Sequence, residues 1–387
     1  MAGVLKVRLS KCSISSSEIS AVKKVLESEY LGMGLQVLEF EQSIKQYLDT
    51  DMDVMCVNTG TSALQLALSA LDIGPGDEVL VPSLTYVASF QAISAIGAKP
   101  VACEVNKETL FIDIRDAKRK ITSKTRVIMP VHYASSSKGM SAVYALAQEY
   151  KLRVIEDAAQ AFGCERDGKK IGTSGDVICF SFDGIKNITS GEGGAVLTND
   201  KKVAQRLKDD RLLGVQKDTE MRYNGQRSWD FDVYNQGFRF HMSNINAAIG
   251  IEQMIKLPTF LNKRRANFES LNSLLRSKNG FRILPQPVDN IRISSHYCMG
   301  LILDSELSTN RTEIMNQLRV KGIGTSIYYP HPVPHMTYYK KKYGDITCPN
   351  AESISNSIIA LPVGPHLESS DMQIIADGIF SVLSVFK

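Results

Sequence analysis

Between about residues 53 and 200 the chain repeats one pattern: a short β-branched apolar run, then a longer segment with helical spacing. The runs are VMCVN, EVLVP, KPVACEV, RVIMPVHY, RVIEDA, VICFSF and AVLT. Stretches such as TSALQLALSAL, SFQAISAI and MSAVYALAQEY lie between them. Strands buried on both faces read as near-continuous hydrophobic runs, and parallel neighbours need a crossover long enough for a helix. The pattern therefore predicts an α/β fold, with a mainly parallel seven-stranded sheet covered by helices on both faces. A long helix is expected over Ser243–Lys256, where Asn244, Ala247, Ala248, Ile251 and Met254 recur at helical spacing. Beyond about residue 257 the texture changes to a helix near Leu261–Lys278, strand-like pieces (FRILPQ, YCMGLILD) and a helix near Thr312–Lys321. This predicts a large α/β unit over residues 1–256 and a smaller α+β unit over 257–387.

A length of 387 residues with 43% hydrophobic and 22% charged content suits a globular protein of two units. A net charge of +4, with no basic run interleaved with aromatics, argues against nucleic acid as a partner. Seven scattered cysteines without a CxxC read as buried free thiols, which places the protein in a reducing cytoplasm. The start MAGVLKVRLSKCSISSSE has no apolar core of an export signal, and no later run reaches membrane-spanning length.

Ligands in open parallel sheets bind at the carboxyl ends of the strands, and three features fall there. Gly60-Thr61-Ser62 follows VMCVN and opens a helix, giving a glycine turn, two hydroxyls and free N–H groups, a cradle for a phosphate. Taken alone, Thr61 or Ser62 reads equally as a helix cap. Asp157 ends the strand RVIED, with Gln160 three residues on. Lys186 stands alone in FSFDGIKNITSGEGGAVLTND, between two runs that both look buried, with Ser181 in the preceding strand and Gly191, Gly193 and Gly194 after it. A phosphate cradle, a carboxylate and a lysine on adjacent strand ends are what pyridoxal 5'-phosphate (PLP) requires: lysine for its aldehyde, carboxylate for its pyridine nitrogen, cradle for its phosphate.

Five motifs in order, NTGTSALQLAL, GDEVLVPSLTYVAS, IEDAAQAFG, FSFDGIKNITSGEGGAV and MSNINAAIGIEQ, resemble the sugar-nucleotide aminotransferase (DegT/StrS) family of fold type I PLP enzymes. The likeness runs from about Leu31 to Lys340. It implies that Lys186 is the Schiff-base lysine and proton shuttle, Asp157 the partner of the pyridinium nitrogen and Gln160 a contact on the ring-hydroxyl side. It further implies that Gly60, Thr61, Ser62 and Ser181 hold the phosphate and that Tyr86 stacks on the ring. Where the family commonly reads Gly-Tyr-Asn-Tyr-Arg-Met, this chain has Gly237-Phe238-Arg239-Phe240-His241-Met242. Arg239 thus stands where an asparagine reaches the cofactor phosphate of the neighbouring subunit, and its guanidinium suits the same task. Tyr30 and Met33 in YLGMG, and Tyr328 and His335 in YYPHPVPHMTYY, are expected near the substrate.

The implied reaction moves an amino group from a donor such as L-glutamate to a nucleotide-linked keto-sugar, with C4 of a dTDP-4-keto-6-deoxyhexose favoured over C3 of a 3-keto sugar. The product would be a deoxyaminosugar for a surface polysaccharide or glycoside, and the enzyme a homodimer with shared active sites. A PLP-dependent sugar dehydratase of the same family would carry histidine in place of Lys186. A catalytically idle sugar-binding regulator would not need the intact Asp157, Gln160 and Lys186. Two other patterns carry no chemistry. His331 and His335 are four apart, but Pro330, Pro332 and Pro334 forbid the regular helix that would pair them on a metal. GCERDGKK lacks the hydroxyl residue of a phosphate loop.

Overall fold

The computed structural model describes residues 5–276, 279–286 and 292–386. The seven apolar runs form β1 (Asp53–Val57), β2 (Glu78–Pro82), β3 (Lys99–Cys103), β4 (Thr125–Ile128), β5 (Arg153–Asp157), β8 (Val177–Ser181) and β9 (Gly194–Thr198). Between β5 and β8 lie the two-residue strands β6 (Glu165–Arg166) and β7 (Lys169–Lys170). The large sheet has seven strands in the order β1-β9-β8-β5-β4-β2-β3. All run parallel except β9, which is antiparallel to both neighbours. The segment from Phe182 to Gly193 contains no helix, so the chain returns beside β8 in the opposite direction.

Alternate residues of each strand enter different cores. Met55 and Val57 of β1, Cys179 of β8 and Val196 of β9 pack with the helices Gly60–Ala70 and Lys201–Asp210. Cys56, Phe180 and Leu197 face the helix Leu35–Leu48 on the other side. Every residue of β2, β8 and β9 is buried, as the uninterrupted apolar runs required. The GCERDGKK segment is the β6–β7 hairpin, turned by Asp167 and Gly168 at φ +54° and +70°.

The two helices expected around residue 257 are one helix, Asn244–Leu275, with Pro258 inside it. The sequence reading ended the first helix at Lys256 and began the second near Leu261. The helix persists because both of its halves are anchored: Met254 and Leu257 fill the large core, while Phe268, Leu271 and Leu275 fill the small one. At about 1.5–3 kcal/mol for each buried side chain, this outweighs the roughly 3 kcal/mol cost of an internal proline. Lys278, the expected end of the second helix, lies outside the described residues. The smaller layer is a three-stranded sheet of β10 (Phe281–Ile283), β12 (Met299–Leu303) and β13 (Ile358–Leu361), while β11 (Arg292–Ile293) pairs with β6. Against it pack the helices Arg311–Val320 and Ser369–Leu383. The N-terminal segment, expected with the large unit, joins this layer: Val7 donates to Gly322, accepts from Gly324 and is fully buried among its apolar side chains.

Candidate active site

Thr59, at the end of β1, caps the helix Gly60–Ala70. Its hydroxyl oxygen accepts from the Ser62 N–H at 3.0 Å and lies 2.8 Å from the Ser62 hydroxyl. The cap is therefore neither Thr61 nor Ser62. Ser62 is buried and occupied by Thr59, while Gly60 and Thr61 line an adjoining cleft of about 660 Å³. N–H groups of a helix's first turn have no partner within the helix and favour an anion. Two glycines allow the packing: a Cβ on Gly60 would meet Ser181 Cβ at 2.7 Å, and one on Gly194 would meet the Thr59 carbonyl oxygen at 2.5 Å. Ser181, at the end of β8, thus abuts the helix start and completes the cradle.

Asp157 ends β5 on the floor of the cleft and is 6% exposed. Its Oδ2 accepts from the Ser89 hydroxyl at 2.8 Å and its Oδ1 from the Ala159 N–H at 3.2 Å. Burial nevertheless pushes its carboxyl above the usual range, against those two hydrogen bonds and the charges of Lys186 and His132. The preceding residue, Glu156, points to the opposite face of the sheet. It accepts from Tyr144 at 2.6 Å and Arg166 at 3.1 Å, and lies 2.7 Å from His132 Nε2.

Lys186 sits in the loop between β8 and β9. The loop is held at its base by paired backbone bonds between Phe182 and Gly193 or Ser190, and by Asn187, which donates to the Phe162 carbonyl at 2.7 Å. Gly191, at φ +80°, turns the chain back toward β9. The Lys186 ammonium lies 5.3 Å from the Tyr297 ring centroid and forms no ion pair with Asp157, although both line the cleft. Burial pulls its pKa down, opposed by Asp157 and Asp183. The gap between an amine tuned toward neutrality and a buried carboxylate, with an anion cradle beside it, fits a ring bearing a phosphate.

The other expected residues divide. Tyr86 is 59% exposed and lines the cleft, so it is no core tyrosine. Gln160 is buried, its Oε1 accepting from the Ala134 N–H and its Nε2 donating to the Tyr329 hydroxyl, both at 2.7 Å. Tyr328 lines the cleft. His335 does not: its Nε2 lies 2.9 Å from the Ile346 carbonyl oxygen, where it packs the loop. Met33 is fully buried beside Phe40 in the core, which removes it from the substrate. Tyr30 borders a different groove with Leu35 and Arg222. Arg239 is exposed and outside this chain's own cleft, next to the stacked rings of Phe238 and Phe240. His335 lies in the short turn Val333–His335 and His331 outside it, and among the described residues no group of three or more His, Cys, Asp or Glu is placed to hold a metal.

Ser89 and Tyr297 escaped the sequence reading, which reached Tyr329 only as part of the segment Tyr328–His335. Ser89 sits four residues after Thr85, whose hydroxyl lies 2.9 Å from its own, a helical spacing visible in SLTYVAS. Tyr329 closes the cleft between Tyr86 and Tyr133, with ring centroids 5.9 and 6.0 Å away. Tyr297 arrives from the segment between β11 and β12, and no local signal marks it.

The sequence matches the DegT/DnrJ/EryC1/StrS aminotransferase family from residue 12 to residue 380. The chain belongs to that family. It is a PLP-dependent sugar aminotransferase. It is 35% identical over 375 residues to the uncharacterized protein MJ1066 of Methanocaldococcus jannaschii, covering 96% of each chain. Among solved structures it resembles Spr1654 of Streptococcus pneumoniae, assigned as a sugar aminotransferase and solved in PMP and PLP forms. In the PMP form the TM-score is 0.92 at 26% identity, covering 99% of this chain and 100% of that one. It also resembles Helicobacter pylori PseC, an aminotransferase of pseudoaminic acid biosynthesis, with a TM-score of 0.90 at 25% identity over 98% and 100% of the two chains.

Proposed function

We propose that this aminotransferase moves an amino group from an amino-acid donor such as L-glutamate to C4 of a nucleotide-linked 4-keto-6-deoxyhexose, with dTDP as the nucleotide. The observation that carries the reading is Lys186 facing Asp157 across the cleft, with the Gly60–Ser181 cradle at its edge. A dehydratase of this family would need histidine at that lysine.

When bound, PLP supplies an aldehyde carbon that accepts the amine and a ring that withdraws electrons from it. Gly60, Thr61 and Ser181 hold its phosphate, and Asp157 holds the proton on its pyridine nitrogen. Tyr86 covers the ring face, and Gln160, itself fixed by Ala134 and Tyr329, orients the ring-hydroxyl side. Lys186 Nζ takes the donor's α-proton and returns it, a task that burial favours by lowering its pKa toward the neutral amine. Tyr328 and Tyr329 exclude water from the sugar end. A second copy of the chain brings Arg239 to the phosphate. The exposed aromatic side chains of the preceding segment, Trp229 at 91%, Phe231 at 58% and Tyr234 at 68%, support such a contact.

Borohydride reduction of the purified holoenzyme is expected to fix the cofactor to the peptide containing Lys186, and Lys186→Ala to abolish turnover. Cofactor found on another lysine, or a fully active variant, overturns the assignment. Incubation with L-glutamate and a panel of nucleotide keto-sugars, followed by NMR location of the new amine, separates C4 from C3 transfer.

A further inference from the structure

Behind the wall of the Lys186 cleft lies a second, much smaller cavity of about 10 Å³, where the N-terminal segment meets the small unit. Ile185, Tyr297 and Tyr328 line both spaces. Its charged lining is Lys11 and Arg264, with no aspartate or glutamate.

Arg264 is the unusual member. It is 5% exposed and donates only to backbone carbonyls, from Nη1 to Tyr297 at 3.0 Å and to His296 at 3.4 Å. Its Nε has no partner. The two other arginines buried to this degree among the described residues are each paired with a carboxylate, Arg211 with Glu41 and Arg222 with Asp218, both at 2.6 Å. A buried guanidinium without a counter-charge is costly unless an anion joins it. Lys11 adds a second cation that also makes no ion pair among the described residues.

We propose that this cavity is the docking site for a carboxylate of the amino donor, with one carboxylate oxygen reaching Arg264 and Lys11 past Tyr297 and Tyr328. The inference rests on the aminotransferase reading given above. Its size decides the ligand class, since a space that holds about one water admits the end of a carboxylate and not a nucleotide diphosphate. Its position decides the substrate. Tyr297 is 5.3 Å from the Lys186 ammonium and forms the shared wall, so an anion one or a few bonds from the donor's reacting carbon falls within reach. A guanidinium with an open edge is the matching receptor for a carboxylate.

The test uses the holoenzyme, with glutarate as an unreactive dicarboxylate probe followed by calorimetry. Two half-reactions complete it: the PLP form with L-glutamate, and the PMP form with the nucleotide keto-sugar. Arg264→Gln is expected to weaken glutarate at least tenfold and to lower kcat/KM for L-glutamate by a similar or larger factor, leaving the sugar half within threefold of wild type. Lys11→Gln alters an exposed side chain that makes no ion pair among the described residues and is expected to weaken glutarate several-fold, so it decides the matter should Arg264→Gln fail to fold. Folded variants that bind glutarate as wild type does, or that slow both halves by one common factor, overturn the proposal. A wild-type enzyme that transaminates no carboxylated donor overturns the functional reading instead, and glutarate titration still decides whether the carboxylate site exists.

Discussion

Ser89 is fully buried and its hydroxyl is the side-chain donor to Asp157, at 2.8 Å. Ser89→Ala removes that donor without adding bulk. A hydrogen bond to a charged group contributes about 1.5–3 kcal/mol, and each 1.4 kcal/mol is about tenfold in an equilibrium constant. Burial already pushes the Asp157 carboxyl upward, and the Ser89 bond is the largest effect opposing it. Its loss drives the group further toward the neutral acid, the form that cannot hold a proton on the pyridine nitrogen by ion pairing. Cofactor affinity is therefore expected to fall roughly 10- to 100-fold. The loss should grow as pH falls, because acid populates the neutral form first in the variant. The assay is titration of the apoprotein with PLP, followed by visible absorbance, at mildly acidic and mildly alkaline pH. The melting curve of the apoprotein serves as control. An affinity within twofold of wild type at both pH values, with an unchanged pH dependence, would refute the reasoning.

Glu156 supplies a pH prediction. Burial raises its carboxyl, but the hydrogen bond and charge of His132, the Arg166 guanidinium and the Tyr144 hydroxyl outweigh it and hold the value at about 2. Against an unfolded value of about 4.3, the shift contributes about 3 kcal/mol of stability, fully present above the unfolded value and lost as pH falls toward the folded one. Acid denaturation of Glu156→Gln should lose that steep component and start from a lower melting temperature at neutral pH; an acid limb parallel to wild type contradicts the account. Arg239→Ala, at an exposed site, should leave the apoprotein's melting unchanged and weaken cofactor retention in the assembled enzyme. Unchanged cofactor affinity leaves Arg239 a structural residue.

The sheet was legible because burial on both faces leaves little choice: strands such as VICFS and EVLVP cannot sit at a surface, and all seven runs became strands. That Lys186, Asp157, Gly60, Thr61 and Ser181 would gather at one end of the sheet was legible for a related reason, since each lies at or just beyond the end of such a run. What failed were inferences about side chains whose partners lie far along the chain. Met33, expected near the substrate, is buried beside Phe40, and the two helices expected on either side of residue 257 are one helix that both cores claim. Tyr297, from the segment before β12, lines the cleft and leaves no mark on local pattern. The Thr59 cap was missed by two residues because threonine or serine at 59, 61 or 62 satisfies the same preference, and only the geometry of Ser62 chooses between them.

The reversed direction of β9 gathers these parts at one edge. Gly194, its first residue, pairs with Val57 at the end of β1 and with Ser181 at the end of β8. A parallel β9 would begin at the far side of the sheet, and a crossover helix would replace the Lys186 loop. The antiparallel return leaves that loop free above the strand ends, beside the first turn of the helix Gly60–Ala70 and next to Asp157. The same compactness carries an electrostatic cost. Lys186 and Asp157 are both desolvated, both driven toward neutrality and not joined in an ion pair. In the apoprotein they oppose folding, and a ligand that offers Asp157 a cation and Lys186 an electrophile removes that opposition. Cofactor affinity and fold stability are thus linked through the same two side chains, as binding to the native state alone requires.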